Sequence, residues 1–249
     1  MQGSSGAEPG DEIEEPGRVA RTRGVRPAEP LTAARIVEAA MDLIDRRGPG
    51  GFSVRALAGE LGVFPSAIYW HIQDRRTLLA LVGNRWIGAA LPSPDGKHWA
   101  QWLRELGHGY RAAAMAHPNV ARAIASELVN DPSTFGLPEA ILAQLAVSGL
   151  PDDELVHAYN CMVGAVVGFV DLELARDPVR TPAERDQVRA AVTSVDADQY
   201  PVLAEHIDSF ADRAFSLRWT SGVERPLDAS FTYLVELIAT GLERRAAPG

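Results

Sequence analysis

From Thr32 onward the apolar residues of this chain recur with a helical period. Ile36, Val37, Ala40, Leu43 and Ile44 fall at three- and four-residue steps and make one apolar stripe. Thr32 precedes the stripe as an N-cap, and Gly48-Pro49-Gly50-Gly51 ends the helix. Ser53 caps a short second helix through Leu61, with Leu57 and Ala58 inward, and Gly62 breaks it. A third short helix runs from Pro65 to His71, and Asp74 caps a fourth that runs from Arg75 to about Ala90. Longer helices follow over residues 97–116, 118–130, 137–148 and 152–176, parted by proline-containing junctions. Residues 177–200 are polar and read as a loop with one short helix near 182–194; helices near 201–214 and 228–245 finish the chain. No stretch sustains period-two alternation, and no internal repeat is present. The pattern predicts an all-α fold.

Composition divides this helical chain into parts. Residues 1–30 are rich in Gly, Pro, Ser and Glu and read as a disordered tail. Residues 31–78 hold the short helices, helix 75–90 links them onward, and residues 79–249 form a larger C-terminal part. The longest uninterrupted apolar stretch of that part, Cys161 to Val170, is far shorter than the roughly 20 residues that span a bilayer. The N-terminus is polar and acidic, without the hydrophobic run of a secretory signal. The single cysteine, Cys161, permits neither an internal disulfide framework nor a Cys-based zinc knuckle. A soluble cytoplasmic protein with no membrane partner is expected.

Net charge is −9, but it is unevenly placed. Residues 1–17 carry −5, residues 18–76 carry +4 from ten arginines against six acids, and the remainder carries −8. A basic segment inside an acidic protein is the distribution expected where one small region meets phosphate. Arg18, Arg21, Arg23 and Arg26 cluster just ahead of the first helix. They read either as an arm for phosphate and minor-groove contacts or as a solvated linker.

The segment Phe52 to His71 has the physics of two short helices packed at a steep angle. Ala58 is small where they approach, and Gly62 supplies the left-handed backbone of the tight turn. Val63 and Ile68 point inward; Leu57 and Leu61 anchor the first helix. The outward face of the second helix is then Pro65, Ser66, Ala67, Tyr69, Trp70 and His71. Such an exposed aromatic and polar helix needs a partner, and the major groove of double-stranded DNA admits one.

Here the chain resembles a known family. "TAARIVEAAMDLIDRRG" and "FSVRALAGELGVFPSAIYWHIQDRRTLL" resemble the DNA-binding domain of TetR-family transcriptional regulators. Tyr69-Trp70-His71, followed by Arg75-Arg76 and Leu78-Leu79, is closest to the tetracycline-repressor branch. Trp99-Ala100-Gln101-Trp102-Leu103 and the stretch "GAVVGFVDLELA" look like the fifth and eighth helices of that branch. The resemblance implies a homodimeric regulator, in the family's usual mode a repressor, that binds operator DNA and answers to a small-molecule effector. It assigns Arg55 to a base or phosphate and Ser53 to a phosphate at a helix N-terminus. It sets Pro65, Ser66 and Ala67 against base edges, Tyr69, Trp70 and His71 along the phosphate backbone, and Arg75 on a phosphate. The departure is at Phe64 to Ala67, where no glutamine or threonine is offered to read a base. Apolar contact with thymine methyls, and Arg55 to guanine, are expected to dominate instead.

A dimeric regulator needs an interface and a sensor. The 152–176 helix, apolar on most faces and carrying Gly164 and Gly168, and the 228–245 helix are the candidates for the interface. Polar or aromatic residues set among apolar ones are the candidates for an effector pocket: Trp86, His108, Tyr110 and Asn160. Arg111, His117 and Cys161 share that pattern. The resemblance adds Ile124 and Glu127, which stand where tetracycline repressors carry a histidine and a threonine near a drug–magnesium chelate. An isoleucine cannot ligate a metal, so a metal-independent effector and no cofactor are expected. No HExxH, GxSxG, Walker or dinucleotide fingerprint occurs, which argues against the rival reading of an enzyme. A second rival, a ligand-independent DNA-binding protein, predicts a C-terminal part without a cavity.

Overall fold

A computed structural model of the chain describes residues 30–126, 134–175, 181–215 and 227–247. The expected tail, with its arginine cluster, lies outside the described residues save for Pro30, as does Glu127. Thr32–Gly249 forms one compact unit, distinct from Met1–Leu31. Among the described residues every regular element is helical.

Three of the four N-terminal helices begin where short polar side chains offer an acceptor to a backbone donor. Helix α1 spans Ala33–Arg47, with the Arg35 N–H donating to Thr32 Oγ1 at 3.2 Å. Helix α2 spans Val54–Leu61, with the Ala56 N–H donating to Ser53 Oγ at 3.1 Å. Gly62 then adopts φ 67°, ψ 31°, the left-handed turn that leads into helix α3, Pro65–His71. Helix α4 spans Arg75–Gly88 and starts on Asp74, which accepts from the Thr77 N–H at 2.7 Å. Those hydrogen bonds from Thr77 hold the Asp74 carboxyl below the usual carboxylate range. Ile36, Ala40, Leu43, Ile44 and Leu57 have no exposed surface, so the stripe read from the sequence is the core of this head.

The larger part consists of α5 (Trp99–Ala116), α6 (Pro118–Ser126), α7 (Gly136–Ala146), α8 (Leu155–Leu174), α9 (Pro182–Thr193), α10 (Pro201–Arg213) and α11 (Asp228–Ala246). A 3-10 turn, Asp152–Glu154, precedes α8, so the helix expected from residue 152 starts three residues later. Helix α9 begins in a capping box: Glu184 N–H donates to Thr181 Oγ1, and the Thr181 N–H donates back to Glu184. Helix α5 is the central member, packing on α7, α8 and α11. Arg111 ties three of these helices, donating from α5 to Glu173 of α8 at 2.5 Å and to Asp228 of α11 at 2.6 Å. This residue, polar among apolar neighbours in the sequence, is a structural clasp.

Helix α4 buries Leu78, Leu79, Ala80, Val82 and Trp86, which point around most of its circumference. It packs on α1 and α6 and also on α5 and α7. The helix expected to link the two parts thus packs on elements of both.

Helix α8 buries Ala158, Met162, Val166, Val170 and Leu174, a stripe at four-residue spacing. Its opposite stripe, Val156, Asn160, Gly164, Gly168 and Leu172, is exposed. Helix α11 likewise leaves Tyr233, Leu237 and Gly241 uncovered. The segment Asp152–Leu174 is long and apolar enough to cross a membrane by length and composition. Counting uninterrupted apolar residues missed this, because isolated His157, Asn160 and Asp171 interrupt the run without making the segment polar. Its packed stripe contacts α5, α7 and α11.

Candidate functional site

The head presents one strongly exposed surface, on and around α3. Ile68 is buried and anchors the helix, while Phe64 is 82% and Trp70 88% exposed. Ser66, Tyr69 and His71 are exposed as well, and Pro65 and Ala67 are half-buried at the first turn. Large aromatic side chains this open to solvent cost hydrophobic free energy in the isolated protein, so a covered state is the natural one. Ser53 and Arg55 lie exposed at the start of α2. The Ser53 oxygen is engaged by the Ala56 N–H, which leaves its hydroxyl proton as a donor. Arg75, exposed at the start of α4, has its guanidinium 5.8 Å from the centroid of the Phe52 ring. Not all of the basic excess faces outward in this way. Arg46 and Arg47 both bond Glu60, the latter at 3.1 Å, and so clamp the end of α1 to α2.

A half-open cavity lies in the larger part, between α4, α5, α7 and α8. Its wall is Ile87, Leu106, Gly107, Tyr110, Leu137, Ile141, Met162, Val163, Val166 and Val167, and it is almost wholly hydrocarbon. Gly107 leaves α5 bare at the middle of this wall; a Cβ there would come within 3.2 Å of Val235 and 3.3 Å of Met162. Burial, with the Asp171 charge adding to it, pushes the Tyr110 hydroxyl up to about 12.

Of the residues expected to line a pocket, only Tyr110 does so. Trp86 stands behind it: the rings meet edge to face at 5.4 Å, and the indole N–H donates to the Ala113 carbonyl at 3.2 Å. His108 is exposed and lies against Phe231, because it sits out of phase with the inward Leu106, Gly107 and Tyr110 of the same helix. Asn160 lies on the exposed stripe of α8, on the far side from the cavity. Ile124 packs towards Gly83 of α4, where a Cβ would lie 3.4 Å from its Cδ1. Glu127 cannot be placed, lying outside the described residues. The nine lining residues missed by sequence reasoning are aliphatic or glycine, and a polar-residue search passes over them. Gly107 in mid-helix is a signal of close approach, but Gly109 two residues on carries the same signal and lies against Ala90 instead. Among the described residues no group of three metal-ligating side chains converges.

The cavity and the head are joined twice. Helix α4 leads from Arg75, beside α3, to Ile87 in the cavity wall. A polar chain makes the second join: His117 contacts the Asp45 carboxylate of α1, and Asn119 of α6 donates to the Asp45 carbonyl at 2.9 Å. Arg122 donates to Asn119 at 3.2 Å and to the Leu174 carbonyl at the end of α8. His117, a pocket-like residue by sequence pattern, belongs to this join.

Comparison with known proteins bears on both surfaces. Residues 36–82 match the family described as bacterial regulatory proteins, tetR family, and residues 91–244 match the tetracyclin repressor-like C-terminal domain. The HTH-type transcriptional repressor DrrR1 of Streptomyces coeruleorubidus is 30% identical over 194 residues, 74% of this chain and 70% of that protein. Tetracycline repressor protein class G of Vibrio anguillarum is 26% identical over 221 residues, 87% of this chain and 96% of that one. Among solved structures, the Streptomyces coelicolor TetR family protein ActR in complex with actinorhodin is 25% identical, with a TM-score of 0.69, over 88% of this chain and 100% of that one.

Proposed function

The chain belongs to the TetR family of bacterial transcriptional regulators, and on that premise we propose that it is a homodimeric repressor released from operator DNA by a small-molecule effector. One observation carries the reading. A single helix, α4, begins beside an exposed aromatic surface and ends in the wall of an apolar, half-open cavity. A ligand-independent DNA-binding protein has no use for that cavity. Among the described residues the cavity wall offers no carboxylate, imidazole, thiol or amine, and burial keeps its one hydroxyl, on Tyr110, neutral, which favours a binding role over a catalytic one.

In this reading residues 31–78 are the reading head and residues 79–249 the regulatory part. Pro65, Ser66 and Ala67 meet base edges, Tyr69, Trp70 and His71 follow the backbone, and Ser53, Arg55 and Arg75 meet phosphates or a guanine. Two heads read two half-sites, and the dimer sets their spacing. The exposed stripes of α8 and α11 supply the dimer face: Val156, Leu172, Tyr233 and Leu237 are each more than half exposed in the single chain. Gly164, Gly168 and Gly241 have nothing within 4 Å of a Cβ position, so a partner helix has room to approach closely. An effector acts by favouring the conformation with the wrong half-site spacing. The regulator works where the DNA is, in the cytoplasm.

The test pairs a DNA shift assay on the region upstream of the chain's own gene with light scattering. Saturable, competitor-resistant binding by a dimer is expected. Binding no tighter than to random DNA, or a monomeric mass at micromolar concentration, overturns the proposal.

A further inference from the structure

We infer that the effector is an uncharged, hydrocarbon-rich molecule recognised by shape, bearing no ionised group and no chelated metal. The inference rests on the reading that an effector occupies the cavity, and it specifies the chemistry. Among the described residues the lining contains one polar side chain, Tyr110, which turns its ring rather than its hydroxyl to the cavity, since the wall surface is nearly all hydrocarbon. The neighbouring cations of α5 are already committed. Arg111 bonds Glu173 and Asp228, and Arg104 bonds Glu236 and Glu243. His108 faces away, against Phe231.

A carboxylate or sulfonate entering this space would lose its hydration and gain no counter-charge, which drives such a group to neutralise or stay out. A neutral hydroxyl left without a partner would weaken binding by about five- to 150-fold. Wall chemistry selects an apolar ring system over an oxygen-rich or charged one.

A matched pair of fluorescent probes isolates charge. N-phenyl-1-naphthylamine is neutral, and 8-anilino-1-naphthalenesulfonate is the same aromatic skeleton with a sulfonate. On the full chain without DNA, the neutral probe should bind saturably at one site per chain, at least about tenfold tighter than the sulfonate. Val163→Phe fills the cavity from α8 and should weaken the neutral probe by about tenfold or more. Leu137→Phe fills it from α7, so a folding failure of one variant leaves the other to decide. Equal binding of the two probes with equal loss of both in the filled variants overturns the inference. So does absence of neutral-probe binding, or binding that neither variant weakens. The same preparation is assayed for operator binding. Loss of specific DNA binding there sinks the regulator reading alone, whereas intact DNA binding with a preference for the charged probe sinks the effector class alone.

Discussion

Replacing Gly109 with alanine sets two effects of known size against each other. A methyl there would sit 2.6 Å from the carbonyl oxygen of Ala90, the residue at which α4 hands over to the loop before α5. Ordinary contact begins at 3.4 Å, so the two backbones must part by about 0.8 Å. Opposing this, alanine is favoured over glycine in a helix interior by about 0.8–1 kcal/mol. Overpacking of this kind costs about 1–3 kcal/mol, so the steric term wins and Gly109→Ala should destabilise by about 1 kcal/mol. Gly83→Ala in α4 is the matched control. Its methyl would meet only the flexible end of Ile124, at 3.4 Å, so the helix gain should dominate and stabilise by up to about 1 kcal/mol. The sign of the difference is read from urea melts of the two variants. Because strain at Ala90 is most easily relieved by moving the end of α4, Gly109→Ala should also lose operator affinity without any effector, by about tenfold for about 1.4 kcal/mol. If Gly109→Ala matches Gly83→Ala in both stability and operator affinity, α4 is not held at this contact and the reasoning fails.

Arg75→Ala should weaken specific and random DNA alike and lower the salt slope by about one unit per half-site, since one phosphate charge is no longer met; an unchanged slope would leave Arg75 a surface charge. Replacing operator thymines one at a time by uracil removes only a methyl, and at positions covered by Phe64, Pro65 or Ala67 it should cost about fourfold, the worth of one buried carbon at about 0.8 kcal/mol. Complete indifference to every such replacement would remove thymine methyls from the readout. Tyr110 ionises at about 12 in the fold against an ordinary 10, so its neutral form is favoured there. That stabilisation is fully present below about pH 10 and is lost as pH rises through about 12. Relative to Tyr110→Phe, the parent protein should therefore lose stability, on the order of 2 kcal/mol, between those limits. Superimposable alkaline stability curves would contradict it.

The helices of the head were legible because their signals are local. Thr32, Ser53 and Asp74 cap by bonding donors three residues away, and Gly62 sets its own backbone angle; none of this depends on distant packing. The recognition surface followed from phase, since burial of Ile68 fixes which neighbours face out. The cavity was not legible, because an aliphatic residue beside empty space has the same sequence pattern as one beside another aliphatic residue. His108, Asn160 and Arg111 drew notice as polar interruptions, yet each is explained by exposure or by an ion pair between helices far apart in sequence. The basic excess of residues 18–76 overstated the DNA-facing charge for a related reason: Glu60 engages Arg46 and Arg47 from thirteen and fourteen residues away.

The polar chain from Asp45 through Asn119 and Arg122 to Leu174 limits how the head can move. The same seam carries broader packing: α6 lies against both α1 and α4, and α4 also meets α5 and α7. Head and regulatory part therefore meet over a surface, with the Asp45, Asn119 and Arg122 bonds set into it. Moving the head means sliding that surface and breaking those bonds together. Exchanging residues of the cavity wall leaves the seam, and the bonds it holds, unchanged.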